Sequence, residues 1–237
     1  VVLGLLTASF FASTSLISSR SVKIIGSASS LAWTMVVGLL ITTPFVIASG
    51  TPANLGASAP WMAMAGLGNV LGILLAGFAL RVGKVGVVAP ILATGGAISA
   101  LISALLGESI APLVAFVLLV IVAGVVLSAV AAVPAPLADA RRVYAVVITS
   151  LAAVCIGAGL FATGNLSDQL PLAWVLLPAR LTGVLVLFLP LLVLRRLRIT
   201  RSTAPMVIAM GFTEVLGFVC FAIGAQYQLA VISVFSS

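Results

Sequence analysis

Charge is scarce in this chain. Only 6% of its 237 residues are charged, four of them acidic, and there is no histidine. A soluble domain carries about a quarter charged residues, so these few could not cover a water-facing surface of this length. The lack of histidine removes the commonest metal ligand and general base. The two cysteines, Cys155 and Cys220, both fall inside apolar runs, so neither a metal site nor a disulfide framework is expected. No Ser-His-Asp set, no Walker-type glycine loop with its lysine and no charged domain for ATP is present. The chain is therefore expected not to be an enzyme, to need no cofactor and not to be driven by ATP on its own.

What is abundant is apolar surface. Hydrophobic residues make up 63% of the chain, its mean hydropathy is +1.40, and they fall in runs of about 20 between short clusters of Gly, Pro, Ser or Arg. Such runs match a hydrocarbon core about 30 Å thick crossed at about 1.5 Å per residue. Backbone polar groups in lipid must be satisfied within the segment, which makes the runs helices. The fold class is an all-α polytopic membrane protein. Eight full spans are expected, at Leu3–Ile17, Ile24–Ala48, Trp61–Leu80, Val85–Leu106, Pro112–Ala131, Tyr144–Thr163, Leu172–Leu194 and Pro205–Gly224. A ninth begins near Gln228. Val1 in place of Met, and the apolar run still open at Ser237, lead us to expect more chain at both ends.

The net charge of +7 does not point to nucleic acid, because no basic stripe rests on a soluble domain. Ten of the eleven basic residues instead flank the spans. They are Arg20 and Lys23, Arg81 and Lys84, Arg141 and Arg142, and the stretch Arg195, Arg196, Arg198 and Arg201. The intervening segments "SGTPANLGASAP", "GESIA" and "TGNLSDQLP" hold no Lys or Arg. All basic loops thus fall on one side, expected to be the cytoplasm, and the visible N-terminus falls on the other.

The chain also echoes itself. Phe78-Ala79-Leu80 returns as Phe221-Ala222-Ile223 at a spacing of 143 positions, which also pairs Gly68 with Gly211. A slightly larger spacing pairs Pro44 with Pro190. Five spans separate the copies, an odd number, so the second copy is expected to be inverted, a recurrent transporter design.

The stretch "GFALRVGKVGVVAPILATGGAISALISALLGESI", followed by "IVAGVVLSAV", resembles the EamA-type transporters of the drug/metabolite transporter superfamily. The carrying residues are Ala79-Leu80 at the end of the third span, Pro90 in the fourth, Gly107-Glu108, and Gly124-Val125-Val126-Leu127 closing the fifth. "LLPARLTGVL", with Arg180, resembles the entry to the second helix of the family's second repeat. The resemblance implies ten helices in two inverted five-helix repeats, of which eight and the start of a ninth lie here. Residues 1–131 would form the first repeat, 132–143 a linker, and 144–237 an incomplete second repeat. It also implies secondary transport, usually export, of small metabolites or drug-like solutes, in a membrane expected to be the bacterial inner membrane. A non-transporting subunit that binds lipid or scaffolds a partner is the alternative.

Two charges are set apart. Arg180 and Glu214 each lie about nine residues from the nearest end of their spans, where an ionisable group costs about 2.5–3.5 kcal/mol on insertion scales. They serve either as substrate or coupling groups or as a structural ion pair joining the seventh and eighth spans. At the spacings above, Glu214 corresponds to Leu71 and Arg180 to Thr34. Glu214 is also the one acid placed for proton coupling. Pro178 and Gly183 are expected to loosen the helix around Arg180. Asn69 and Trp33 are further candidates, Trp33 as cavity wall or as packing. Ser13, Ser15, Ser18 and Ser19 either line a polar path or let helices pack closely, while Trp61 and Trp174 read as interfacial anchors. Glu108, Asp139 and Asp168 read as solvated or structural.

Overall fold

A computed structural model describes residues 2–83, 85–106 and 140–225, with isolated positions 116, 120, 123 and 124. Within these residues the chain is helical throughout, with seven helices long and apolar enough to cross a membrane. They are α1 (Val2–Ile25), α2 (Ser27–Ser49), α3 (Leu55–Val82), α4 (Val85–Leu105), α5 (Ala140–Gln169), α6 (Leu172–Val193) and α7 (Ala204–Ala225). The expected fifth span, the ninth, Lys84, Glu108, Asp139 and the motif around Gly107 lie outside the described residues.

The helices differ from the sequence expectation in four places, one of them the start of α3, at Leu55 and not Trp61. α1 runs on to Ile25, so Arg20 and Lys23 belong to its last turns and not to a loop. Cations are favoured there by the helix dipole, and Gly26, at φ 86°, makes the break. The presumed loop "TGNLSDQLP" is mostly helix, since α5 continues to Gln169. No breaker precedes Pro171, and its polar residues are used laterally: Ser58 Oγ donates to Gln169 Oε1 at 3.1 Å. Asp168 is exposed on the last turn of that helix.

The fourth difference lies inside α6, whose ends match the expectation. The helix passes Pro178 regularly and departs later, as a π-helical turn at Val184–Phe188 just before Pro190. A proline ring clashes with the carbonyl four residues back. Here that is Val186, inside the π turn, where the wider ladder admits one extra residue and relieves the clash.

The molecule is apolar outside and close-packed by small residues inside. Leu40, Phe45, Ile47, Leu105, Val193 and Ile208 face outward, whereas Ala32, Ala79, Ala100, Ala152, Ala162 and Ala222 are sealed within. That arrangement suits lipid, where close backbone approach replaces hydrophobic collapse. Hydroxyls inside helices return to their own backbone: Ser13 donates to Ser9 O, Ser15 to Phe11 O and Ser19 to Leu16 O.

α3 packs along α5, and α1 along α7; α2 crosses α6 in the middle and also touches α7, while α3 also touches α6. One end of the bundle gathers the basic segments. Ser29 Oγ accepts from the Arg198 N–H, Arg81 donates to Ser27 Oγ, and Gly83 meets Ala145 at the start of α5. At the other end Trp174 donates its indole N–H to Gly50 O, 2.8 Å away, and no Lys or Arg lies there among the described residues. α1, α3 and α6 therefore run towards the basic end, and α2, α5 and α7 away from it.

Candidate functional site

Arg180 and Glu214 meet. α6 enters from the non-basic end and α7 from the basic end, so residues eight and ten positions into them reach similar depth. Glu214 lies about 15 Å along α7 from the basic end and Arg180 about 20 Å along α6, at 1.5 Å per residue. Arg180 Nη1 lies 2.7 Å from Glu214 Oε1. Arg180 is only 1% exposed and Glu214 only 7%. At such burial the pair is an obligate unit, because removing either charge strands the other in a low-dielectric interior.

The remaining contacts of Arg180 come from residues that sequence reasoning passed over. Phe218, one turn beyond Glu214, places its ring 5.2 Å from the guanidinium carbon and is itself met edge-on by Phe11 at 5.2 Å. Such a cation over a ring face is attracted to its quadrupole. Met35 Sδ accepts from Nη1 at 3.7 Å. Gly38 makes the room: a Cβ there would come within 2.8 Å of Arg180 Cδ. Arg180 Nε and Nη2 are buried without a hydrogen-bonding partner.

Asn69 and Trp33 stand outside this network. Trp33 packs edge-on against Phe188 with centroids 5.2 Å apart, and its indole nitrogen is buried and unpartnered. Asn69 lies where α3 touches Gly159 of α5, with Oδ1 buried and unpartnered. Of the serines near the end of α1, Ser18 lines a cavity of about 520 Å³ at the basic end, between α1, α2 and α3. Trp61 packs edge-on against Phe161 at 5.7 Å.

The contacts around the site occur twice, at a spacing of 145 positions. Arg180 fills the space over Gly38, and Met35 fills the space over Gly183. Gly66 of α3 meets α6 at Pro178, while Gly211 of α7 meets α2 at Val37. Gly72 receives Ile156 and Gly217 receives Phe11. Gly68 touches Gly159, and in the matching place Thr213 and Thr14 share a hydrogen bond of 2.7 Å. The register of 143, with Gly68 opposite Gly211 and Leu71 opposite Glu214, does not fit these contacts. At 145, Glu214 stands opposite Asn69 and Arg180 opposite Met35. Pro44 and Pro190 are one residue further apart because the π turn inserts one residue between Gly183 and Pro190. Three glycine pairs at one spacing were the signal in the sequence.

A bundle of long apolar antiparallel helices around a buried ion pair is the architecture of a polytopic integral membrane protein. Residues 1–130, more than half of the chain, match the EamA-like transporter family, and the chain belongs to that family. It is a membrane transporter of the drug/metabolite type. Comparison with curated proteins gives no match.

Proposed function

We propose that the protein is a secondary carrier that exports small metabolites or drug-like solutes by alternating access between two inverted five-helix repeats. The repeats would span 1–131 and 144–237, joined by 132–143, with the basic loops in the cytoplasm of a bacterial inner membrane. Support comes from the helix directions: α1, α2 and α3 each run opposite to α5, α6 and α7. The doubled contacts at 145 support it as well.

The observation that carries the reading is the Arg180–Glu214 pair at the crossing of α2 and α6. In an alternating-access carrier the site belongs near the midplane at the interface of the repeats, and ionisable groups at that depth mark transport pathways. One half carries Arg180 and Glu214 where the other carries Met35 and Asn69, so the architecture by itself does not require the charges. Substrate, proton and Arg180 would compete for the Glu214 carboxylate, which makes it the coupling candidate; Asn69 and Trp33 are candidates for the walls.

Solute flux into vesicles holding the purified protein tests this reading. The carrier moves solute down an imposed solute or proton gradient. Absence of any flux across a broad metabolite panel, with lipid binding retained, would favour a non-transporting subunit instead.

A further inference from the structure

The cavity at the basic end ends close to the ion pair. Its lining includes Leu31 of α2 and Met210 of α7, each one helical turn from a residue of the buried centre. Leu31 precedes Met35, and Met210 precedes Glu214, by four residues, about 6 Å along each helix. Ser30 Oγ lies 3.8 Å from Met210 Sδ and closes the gap between the two helices.

The mouth is cationic. Among the described residues Arg81 is the charged one that lines the cavity. Its Nη2 donates to Ser27 Oγ at 3.0 Å, and its guanidinium stands 5.8 Å from the centroid of Phe78. These two contacts hold the planar fork at the rim. Arg20 and Lys23 lie exposed on the neighbouring end of α1, and no acidic residue lines the space among the described residues. Leu31, Leu74 and Phe78 make its walls apolar. A volume of about 520 Å³ falls within the roughly 300–1,000 Å³ of small-molecule sites.

We propose that this cavity captures organic anions with an apolar body, carboxylates or phosphate monoesters, with the anionic group on Arg81 and the body against Leu31, Leu74 and Phe78. The guanidinium matches such planar or tetrahedral oxyanions through paired N–H donors. Passage onward to Arg180, past Ser30 and Met210, rests on the carrier reading; capture at Arg81 does not.

The test needs no transport. In purified full-length protein with Cys155 and Cys220 replaced by Ala, Ala28→Cys places a thiol on the cavity wall. Its labelling is timed in nanodiscs with an anionic and a cationic methanethiosulfonate reagent of similar size. Relative to the same two reagents on a free thiol, the anionic reagent should gain roughly fivefold at low salt, the ratio expected for one unit charge within about 8 Å in water. Arg81→Gln should remove the preference, Arg81→Lys should keep most of it, and Lys23→Gln should leave it in place. Hexyl phosphate should slow labelling where hexanol does not. In phosphatidylcholine nanodiscs, protection that requires added hexyl phosphate assigns the site to a free solute. Slow labelling in phosphatidylglycerol nanodiscs without any addition assigns it to an anionic lipid headgroup. A rate ratio equal to that on a free thiol, a preference that survives Arg81→Gln, or equal protection by hexanol overturns the proposal and leaves the carrier reading to its own flux assay.

Discussion

Glu214 sits in a helix of apolar and small residues, and its charged partner among the described residues comes from a different helix. Two roles for the pair give opposite outcomes. As a coupling group, Glu214→Gln keeps a hydrogen-bond acceptor for Arg180 but loses stability with the charge, and in the protein that folds flux falls by about 10²-fold or more, the scale for a lost general acid or base. As a purely structural pair, single truncations cost about 3–5 kcal/mol, and Arg180→Met with Glu214→Leu restores both folding and flux. Flux on monodisperse protein separates them, and full flux in the double variant would remove the coupling role. Asn69 offers a second separation. Its unpartnered Oδ1 carries a burial penalty of about 1–3 kcal/mol, so Asn69→Leu should raise the thermal midpoint. A site role adds that flux drops in the same variant; a rise in both would make Asn69 a packing defect only.

Among the helices, glycine sets how closely each pair can approach. α3 and α5 pack backbone to backbone, with a Cβ on Gly68 placed 2.7 Å from Cys155 O and 2.9 Å from Gly159 Cα. Neither neighbour is a flexible side-chain end, so the helices must part. Gly68→Val is expected to cost about 1–3 kcal/mol through overpacking. Gly77, on the same helix, meets nothing within 4 Å; Gly77→Ala should be neutral or stabilising by up to about 1 kcal/mol from helix propensity. Thermal unfolding in one detergent compares them, and equal losses would count against the described α3–α5 contact. The π turn of α6 is the other decision made at this scale. It holds the one-residue excess that separates Pro190 from a plain repeat of Pro44, and it lets a proline sit in a lipid-facing helix without breaking it.

For the whole molecule, the basic segments converge on one end of the bundle while the other end has Trp174 and Gly50 at its rim. The positive-inside tendency then gives a sidedness that labelling can read. In a background without Cys155 and Cys220, a cysteine at Asn54 should react with an impermeant reagent added outside intact cells. One at Ile199 should react only after permeabilisation. The reverse pattern would turn the molecule over without altering any contact within it.

The class of protein was legible from composition alone, because the hydrocarbon thickness and the need to satisfy every backbone group admit one solution for apolar runs of this length. Six of the seven described helices fall on expected spans to within several residues at each end. The polar end of α5 misled, since Asn165, Ser167 and Asp168 look like loop residues until their helix is placed beside α3. Arg180 and Glu214 stood out for the same reason, as charges at a depth where none is cheap. Their partnership did not, nor did Met35, Gly38 and Phe218 around them. Hydropathy says how deep a residue lies along its own helix but nothing of the direction it faces around that helix. That direction is set by which glycines let which neighbours approach, and so only the packed bundle decided that the Arg180 guanidinium lies over Gly38 and against Glu214.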